Sequence, residues 1–425
     1  MGLVQAYSLR ALWAEETRYD KVADHMARNR YEKLASHIHF TDNSTVMEEE
    51  KKNKLWKIAP WLDGLKTSLT KLPQEEFSAV DEIMIPFKGR SDIKQFMRNK
   101  PHKWGFKMWG RAGASGILYE FDVYQGASVT SDDGLSKSSQ VVIKMTSNIP
   151  LGLNFKVFAD NFFSSLPLVK TLQSKRIFYV GTVRVNRLKG LELKSEKELK
   201  TDGSRGAFDH AIEVNSGVVA VRWYDNRTVD LLSSYIGVEP VTEVQRYEKK
   251  NKRIIKVSCP AIVKEYNKFM GGIDLHDMLT ALYRFPLKAK RWYVYIFYYT
   301  IHMMVVNAWL RYRKHAQLLQ VKPVMKLAVF QARLASQLVL PTVTVGRPRS
   351  LSVSPRPTPG STAQYRRKVP PRETRLDGLY HPQEYGSTRN RCKLNGCDSL
   401  TYVKCRKCDS LPYNGRPAYL HFWRF

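Results

Sequence analysis

Two rhythms of apolar and polar residues run along this chain, and the switch between them marks its organisation. Residues 1–76 carry the helical one. In TRYDKVADHMARNRYEKLASHIHF the apolar positions Val22, Met26, Tyr31, Leu34 and Ile38 fall close to helical spacing with basic residues between them. In WKIAPWLDGLKTSLTKL (56–72) Leu62, Leu65, Leu69 and Leu72 share one side. The period then shortens. Residues 77–88 read as a strand, 107–110 and 117–125 as a hairpin around the glycine-rich turn 113–116, and 138–149 as a helix. A short buried strand at 155–160, a helix at 165–174 and a further strand at 177–185 follow. Ser164 or Ser165 is placed to cap the 165–174 helix, with Pro167 in its first turn, where the missing N–H costs nothing. This order predicts an antiparallel hairpin series feeding a mixed sheet with helices on its faces.

Residues 186–257 interrupt the pattern with turn-rich polar sequence, one good strand (218–224) and a basic run (249–256), which reads as an insertion. Helical spacing returns at 261–282, where Ile262, Val263, Tyr266, Phe269, Met270 and Ile273 recur, and continues over 288–340. From residue 341 Pro, Ser, Thr and Arg replace any apolar period, as in a flexible linker. The predicted fold class is α/β. A helical segment (1–76) precedes a core in two parts (77–185 and 258–282) that flank an insertion (186–257). A second helical segment (283–340), a basic linker (341–388) and a cysteine-rich tail (389–425) follow. Nothing before Ser8 reads as a natural beginning, so the first helical segment is expected to lack its start.

Composition sharpens this outline. Hydrophobic content of 43% with 12% aromatic residues belongs to a folded chain of 425 residues, with room for two or three domains. Sixty-nine Lys and Arg against 39 Asp and Glu leave a formal charge of +30, which points to a polyanionic partner, nucleic acid ahead of an anionic membrane. Four of the five cysteines lie within 392–408, which favours a metal cluster over a disulfide scaffold. The series Cys392, Cys397, Cys405 and Cys408 has the composition of a closed, structural Zn²⁺ site. The start of the chain lacks the charged, apolar and cleavable regions of a signal peptide. Residues 292–310 carry no charge, but His302 and Asn307 interrupt them, Trp and Tyr run along them, and basic residues flank both ends. A buried helix is expected there, and no membrane partner. The basic stretches 98–107, 249–256, 284–291 and 347–375 offer salt-sensitive, sequence-blind phosphate contacts. Of the aromatics among them (Trp104, Phe106, Tyr283, Trp292), most suit core packing, although such rings can stack on splayed bases.

Candidate chemistry rests on carboxylates. Asp160 ends a predicted strand beside a helix start, a poor place for core and a good one for a cation ligand. Asp81 sits on the first strand of the core, and Asp274 and Asp277, three apart, share one helix face. Mg²⁺ binds through a few carboxylates while keeping water and phosphate oxygens, and two such ions about 4 Å apart suit phosphoryl transfer. Gly271-Gly272, just before Asp274, weakens a helix and points to a close approach to another backbone or to substrate. Asp92, Asp122, Asp209, Asp225 and Asp230 read as surface, turn or pairing residues.

The stretches TRYDKVADHMARNRYEKL, VDEIMIPFKGR with NKPHKWGFK, ADNFFSSLPLVKTL, VGTVRVNR, VVAVRWYDNRTVDLLSS and KEYNKFMGGIDLHDM, in that arrangement, resemble the piggyBac transposase family over nearly the whole chain. The resemblance implies an RNase H-like core and a DD[E/D] transposase whose catalytic aspartates match Asp81, Asp160 and Asp274, with Asp277 the further nearby acid. It also implies cut-and-paste transposition: nicking at transposon ends, hairpin formation by the freed 3′-OH, and integration of double-stranded DNA at TTAA. An insertion domain matches 186–257, and a helical domain for dimerisation and DNA binding matches 1–76 with 283–340, in a homodimer acting in the nucleus. The basic cluster Arg366-Arg367-Lys368 fits nuclear import. The family's tail is a cross-braced domain holding two zincs. Here Pro412 and Tyr419 stand where cysteines are expected, which leaves one zinc or none. The alternative reading is a domesticated DNA-binding protein that keeps the fold without catalysis.

Overall fold

A ten-residue strand, β1 (Phe77–Pro86), is buried along most of its length because it has neighbours on both edges and layers on both faces. It pairs antiparallel with β3 (Trp104–Gly113) and parallel with β5 (Lys156–Ala159). The structure is a computed structural model that describes residues 2–4, 6–98, 100–126, 135–188, 190–202, 205–249, 251–285, 287–339, 383–391 and 400–405. They belong to two units, Met1–Val343 and Thr344–Phe425.

In the first unit β2 (Lys94–Phe96) and β4 (Leu118–Val123) share the free edge of β3, and β6 (Phe178–Thr182) adds parallel to β5. The sheet then continues antiparallel through β9 (Thr228–Ser233), β8 (Val219–Tyr224) and β7 (Phe208–Ile212), giving nine strands in the order β2-β3-β1-β5-β6-β9-β8-β7 with β4 on β3. Residues 186–257 therefore extend the sheet and then form a separate two-stranded ribbon, β10 (Thr242–Glu248) and β11 (Arg253–Cys259). The apolar period found only one of these five strands, β8. Asp230 interrupts β9 but is neutralised across the ladder by Arg222 at 2.6 Å, and both faces of the ribbon carry charges.

Helices cover the sheet in three groups. The amino-terminal helices are α1 (Asp20–Ala23), α2 (Arg28–His37), α3 (Glu48–Lys51) and α4 (Ala59–Thr70). The predicted run 17–40 is split between α1 and α2, with Ala27 extended at ψ 143°. α5 (Lys137–Met145) leads from β4 to β5, and α6 (Leu166–Ser174) joins β5 to β6. Ser165 caps α6 by accepting the Leu168 N–H, with Pro167 in the first turn, as the sequence predicts. α7 (Glu196–Asp202) precedes β7. The predicted helix 261–282 is two helices, α8 (Ala261–Phe269) and α9 (Gly272–Leu282), broken at Met270-Gly271. α10 (Trp292–Leu318) and α11 (Leu327–Leu338) complete the unit. No described helix is long and apolar enough to cross a membrane.

The side-chain alternation of β1 divides the core. Val80 joins a cluster with Val157, Ala159, Leu168, Val169 and Leu172 under α5 and α6. Ala79, on the other face, joins Phe158, Val180, Ile262 and Val263 under α8. Further along that second face, Ile83 and Ile85 join Ile273, Ile296 and Met303 under α9 and α10. A seam between two cores thus falls between Ala79 and Ile83, at the level of the α8–α9 break.

In the second unit β12 (Gln383–Arg391) and β13 (Leu400–Cys405) pair antiparallel with a register irregularity between Tyr385 and Asn390. Of the four tail cysteines, Cys405 contributes its backbone to β13, and Cys392, Cys397 and Cys408 lie outside the described residues.

Candidate active site

Asp81 occupies that seam. It follows Ala79 and precedes Ile83 on the α8–α9 face of β1. β1 and β5 run parallel with Val80 opposite Ala159, so one step further in the same register Asp81 stands beside Asp160, where β5 ends. The two acids, distant in sequence, are brought side by side by strand pairing alone.

A tight turn holds Asp160. Its Oδ1 accepts the Phe162 N–H at 2.8 Å, and its carbonyl accepts the Phe163 N–H at 3.2 Å and the Ser164 hydroxyl at 3.0 Å. Arg187 closes the turn from outside, donating to the carbonyls of Phe162 (2.9 Å) and Ser164 (2.8 Å), while Arg184 donates to Asn161 Oδ1 at 3.3 Å. The motifs ADNFFSS and VGTVRVNR are therefore two halves of one device: the second immobilises the backbone of the first.

The third element is α9. A Cβ on Gly272 would lie 2.4 Å from the Gly113 carbonyl oxygen, so only glycine lets the start of the helix rest on the end of β3. One residue on, the Ile273 side chain lies over Gly110, the residue paired with Asp81 across the ladder; a Cβ on Gly110 would meet it at 2.9 Å. Asp274 follows in the first turn of α9. Asp277 lies one turn on and accepts a hydrogen bond from the buried Tyr299 hydroxyl of α10.

The electrostatics bind these groups together. Burial pushes the Asp81 carboxyl up to about 7; the Glu82 N–H at 2.7 Å and Lys100 oppose the rise, and Asp160 and Asp274 add to it. Burial likewise raises Asp160, with Glu82 adding to the rise and Arg184 and Lys100 opposing it. It raises Asp277 as well, against the Tyr299 hydrogen bond and Lys100. Tyr266 on α8, pushed to about 12 chiefly by burial, is raised further by Asp160, Asp81 and Asp274 together. Each of these acids is thus within electrostatic reach of another of the set. Lys100 is the cation common to Asp81, Asp160 and Asp277, and its Nζ lies 3.4 Å from the Glu82 carbonyl oxygen and 3.6 Å from Glu82 Oε1. On the opposite face Glu82 is anchored by Lys107 at 2.9 Å, which sits over the Trp109 ring.

As a donor set the acids suit a hard divalent cation: carboxylate oxygens on three separate elements, with Asp81, Asp160 and Asp277 partly desolvated and Asp274 exposed at the start of α9. Among the described residues no three His, Cys, Asp or Glu side chains close on a point that a metal ion could share. The sequence pattern placed the four aspartates on the correct elements but missed Lys100, Arg184 and Arg187 as residues that shape the site. Lys100 carried only the signal of a basic stretch.

Comparison with known proteins agrees with this architecture. The Transposase IS4 family profile matches residues 1–309. Human PiggyBac transposable element-derived protein 3 is 31% identical over 417 residues, 96% of this chain and 66% of that protein. Human PiggyBac transposable element-derived protein 2 is 30% identical over 318 residues, 73% of this chain and 53% of that protein. The chain thus spans less than two thirds of the length of these relatives. A cryo-EM structure of a piggyBac transposase synaptic complex with hairpin DNA superposes with a TM-score of 0.65, over 81% of this chain and 71% of that chain, at 20% identity, which shows a shared fold. Because the family profile runs over most of the chain and takes in all four aspartates, the chain belongs to the piggyBac transposase family.

Proposed function

We propose that the protein is a piggyBac-type DNA transposase with an RNase H-like core, which cuts and joins DNA at TTAA. The observation that carries this reading is the parallel register that sets Asp81 beside Asp160, with Asp274 delivered by a helix that only Gly272 allows to approach. Membership of a DDE-type transposase family implies use of a divalent cation in general. Asp81, Asp160 and Asp274 would hold Mg²⁺ here, with Asp277 supporting from behind through Tyr299. When bound, such cations activate the attacking oxygen and stabilise the leaving one. The chain's own residues do the rest. Arg184 and Arg187 fix the Asp160 turn, Tyr299 fixes Asp277, and Lys100 balances the acids' mutual repulsion. The chain's charge of +30 supplies the attraction for double-stranded transposon ends and target. Action as a homodimer in the nucleus, and one zinc in the tail, belong to the same proposal.

The test is incubation of the purified protein and Mg²⁺ with DNA bearing cognate transposon ends. Nicking, hairpin formation and joining are expected, all abolished by Asp160→Ala; no cleavage by the parent, or equal cleavage by the variant, overturns the reading. A second reading is a DNA-binding protein that keeps the fold without catalysis, since among the described residues no three His, Cys, Asp or Glu side chains converge on one metal position. Salt-sensitive DNA binding without cleavage, unchanged by Asp274→Asn, identifies it.

A further inference from the structure

Beside the acid cluster lies a cavity of about 540 Å³, between the end of β1, the loop before β3 and the segment joining α9 to α10. Tyr299, the hydrogen-bond donor to Asp277, lines it, as does Arg284, whose charge acts on Asp277. Its walls are aromatic: Phe87 edge-on to Tyr295 at 5.0 Å, Phe285 against Tyr298 at 5.3 Å, and Trp104 at the mouth, 51% exposed and braced by Phe96 at 4.8 Å. Its cations are Lys88, Lys103, Arg284 and Lys288, and none of the four makes an ion pair among the described residues. No Asp or Glu lines it. His302 adds no charge: one ring nitrogen accepts the Phe285 N–H at 3.0 Å and the other donates to the Tyr298 carbonyl at 2.6 Å, which fixes a neutral ring.

An apolar, ring-walled space with unpaired cations and no acid suits a ligand with a flat face and an anionic arm. Its volume fits one small organic moiety and excludes a duplex. Paired and stacked bases offer no free face, so the matching DNA is locally single-stranded.

We propose that this cavity receives one unstacked nucleotide of the DNA strand being processed, its base against Trp104 and its phosphate against Arg284 and Lys288. The proposal rests on the transposase reading above and adds a site to it.

The test is affinity for two DNAs, a duplex ending in a single-stranded TTAA overhang and the matched blunt duplex, at several salt concentrations. Trp104→Ala is expected to weaken overhang binding by about tenfold and blunt binding by less than about twofold, since only an unstacked base can lie against the ring. Trp104→Phe restores the difference. Arg284→Gln and Lys288→Gln each reduce the salt slope for the overhang DNA by about one. Equal loss on both DNAs, or no loss on either, overturns the proposal. If the parent binds neither DNA, the transposase reading fails with it; if blunt binding stands and the overhang preference is absent or insensitive to Trp104, the cavity assignment alone fails. Competition with dAMP separates the remaining source: displacement of overhang DNA by dAMP at equal concentration makes the occupant a free nucleotide and overturns the strand assignment.

Discussion

Two groups of sheltered aspartates in one sheet are treated in opposite ways. In the β7–β9 region Asp230, 7% exposed, faces Arg222 at 2.6 Å, and Asp225 is held by Arg205 at 2.5 Å and Arg246 at 3.1 Å. At the carboxyl end of β5, Asp81 and Asp160 stand side by side without an arginine paired to either, and Asp81 is pushed up to about 7. Pairing removes the cost of a desolvated charge, whereas leaving acids to repel one another stores that cost until a cation arrives. The first arrangement is structural, and the second is the one the proposed cation site requires.

The largest effect belongs to the unpaired group. Asp160→Asn keeps the turn-forming oxygen and removes the charge, so cleavage is expected to fall on the order of a thousandfold while DNA binding holds; gel assays of cleaved and bound DNA check both. The paired group answers differently. Arg222→Leu leaves Asp230 buried without its partner, and a loss of about 3–5 kcal/mol in denaturant unfolding is expected, with cation affinity unchanged where the protein remains folded.

Gly272→Ala tests how the two strands and the helix are brought together. The added Cβ, 2.4 Å from the Gly113 carbonyl oxygen, must push α9 off β3, at roughly 2 kcal/mol, and carries Asp274 away from Asp81, so cleavage falls further than stability alone explains.

Asp81→Asn has the opposite sign. The native carboxyl binds its proton up to about pH 7, the unfolded one only to about 3.8, so between those values the native state holds more protons and stability falls as pH rises. Above pH 7 the penalty is complete. The variant, in the absence of divalent cations, is expected to be more stable than the parent by on the order of 2 kcal/mol at pH 8, with the gain fading towards pH 4. The smallest effect is that of Lys100→Gln. Removing the cation shared by Asp81, Asp160 and Asp277 moves their protonation midpoints upward, read from carboxyl carbon shifts across a pH titration.

The alternation of apolar residues was enough to place β1, the β3–β4 hairpin, β5, α6 and β6, because each buries a continuous apolar face. It failed over β7, β9 and the β10–β11 ribbon, where charged residues are neutralised across strands or lie exposed, so that pairing supplies the order instead of hydrophobicity. The separate roles of Asp81 and Asp230 could not be read locally. Each is an aspartate in an apolar strand, and the difference lies in what the neighbouring strand places opposite. Gly271-Gly272 was legible as an anomaly, but the backbone it meets, Gly113, is far away in sequence.

The central claim is that acids from β1, β5 and α9 form one site for a divalent cation. Calorimetric titration of the full chain with Mn²⁺ at pH 6.5, in two buffers of different ionisation enthalpy, tests it most directly. The account predicts binding that releases protons to the buffer, with both binding and release lost in Asp81→Asn and in Asp160→Asn. Absence of binding in the parent, or binding that either variant leaves unchanged, would contradict it.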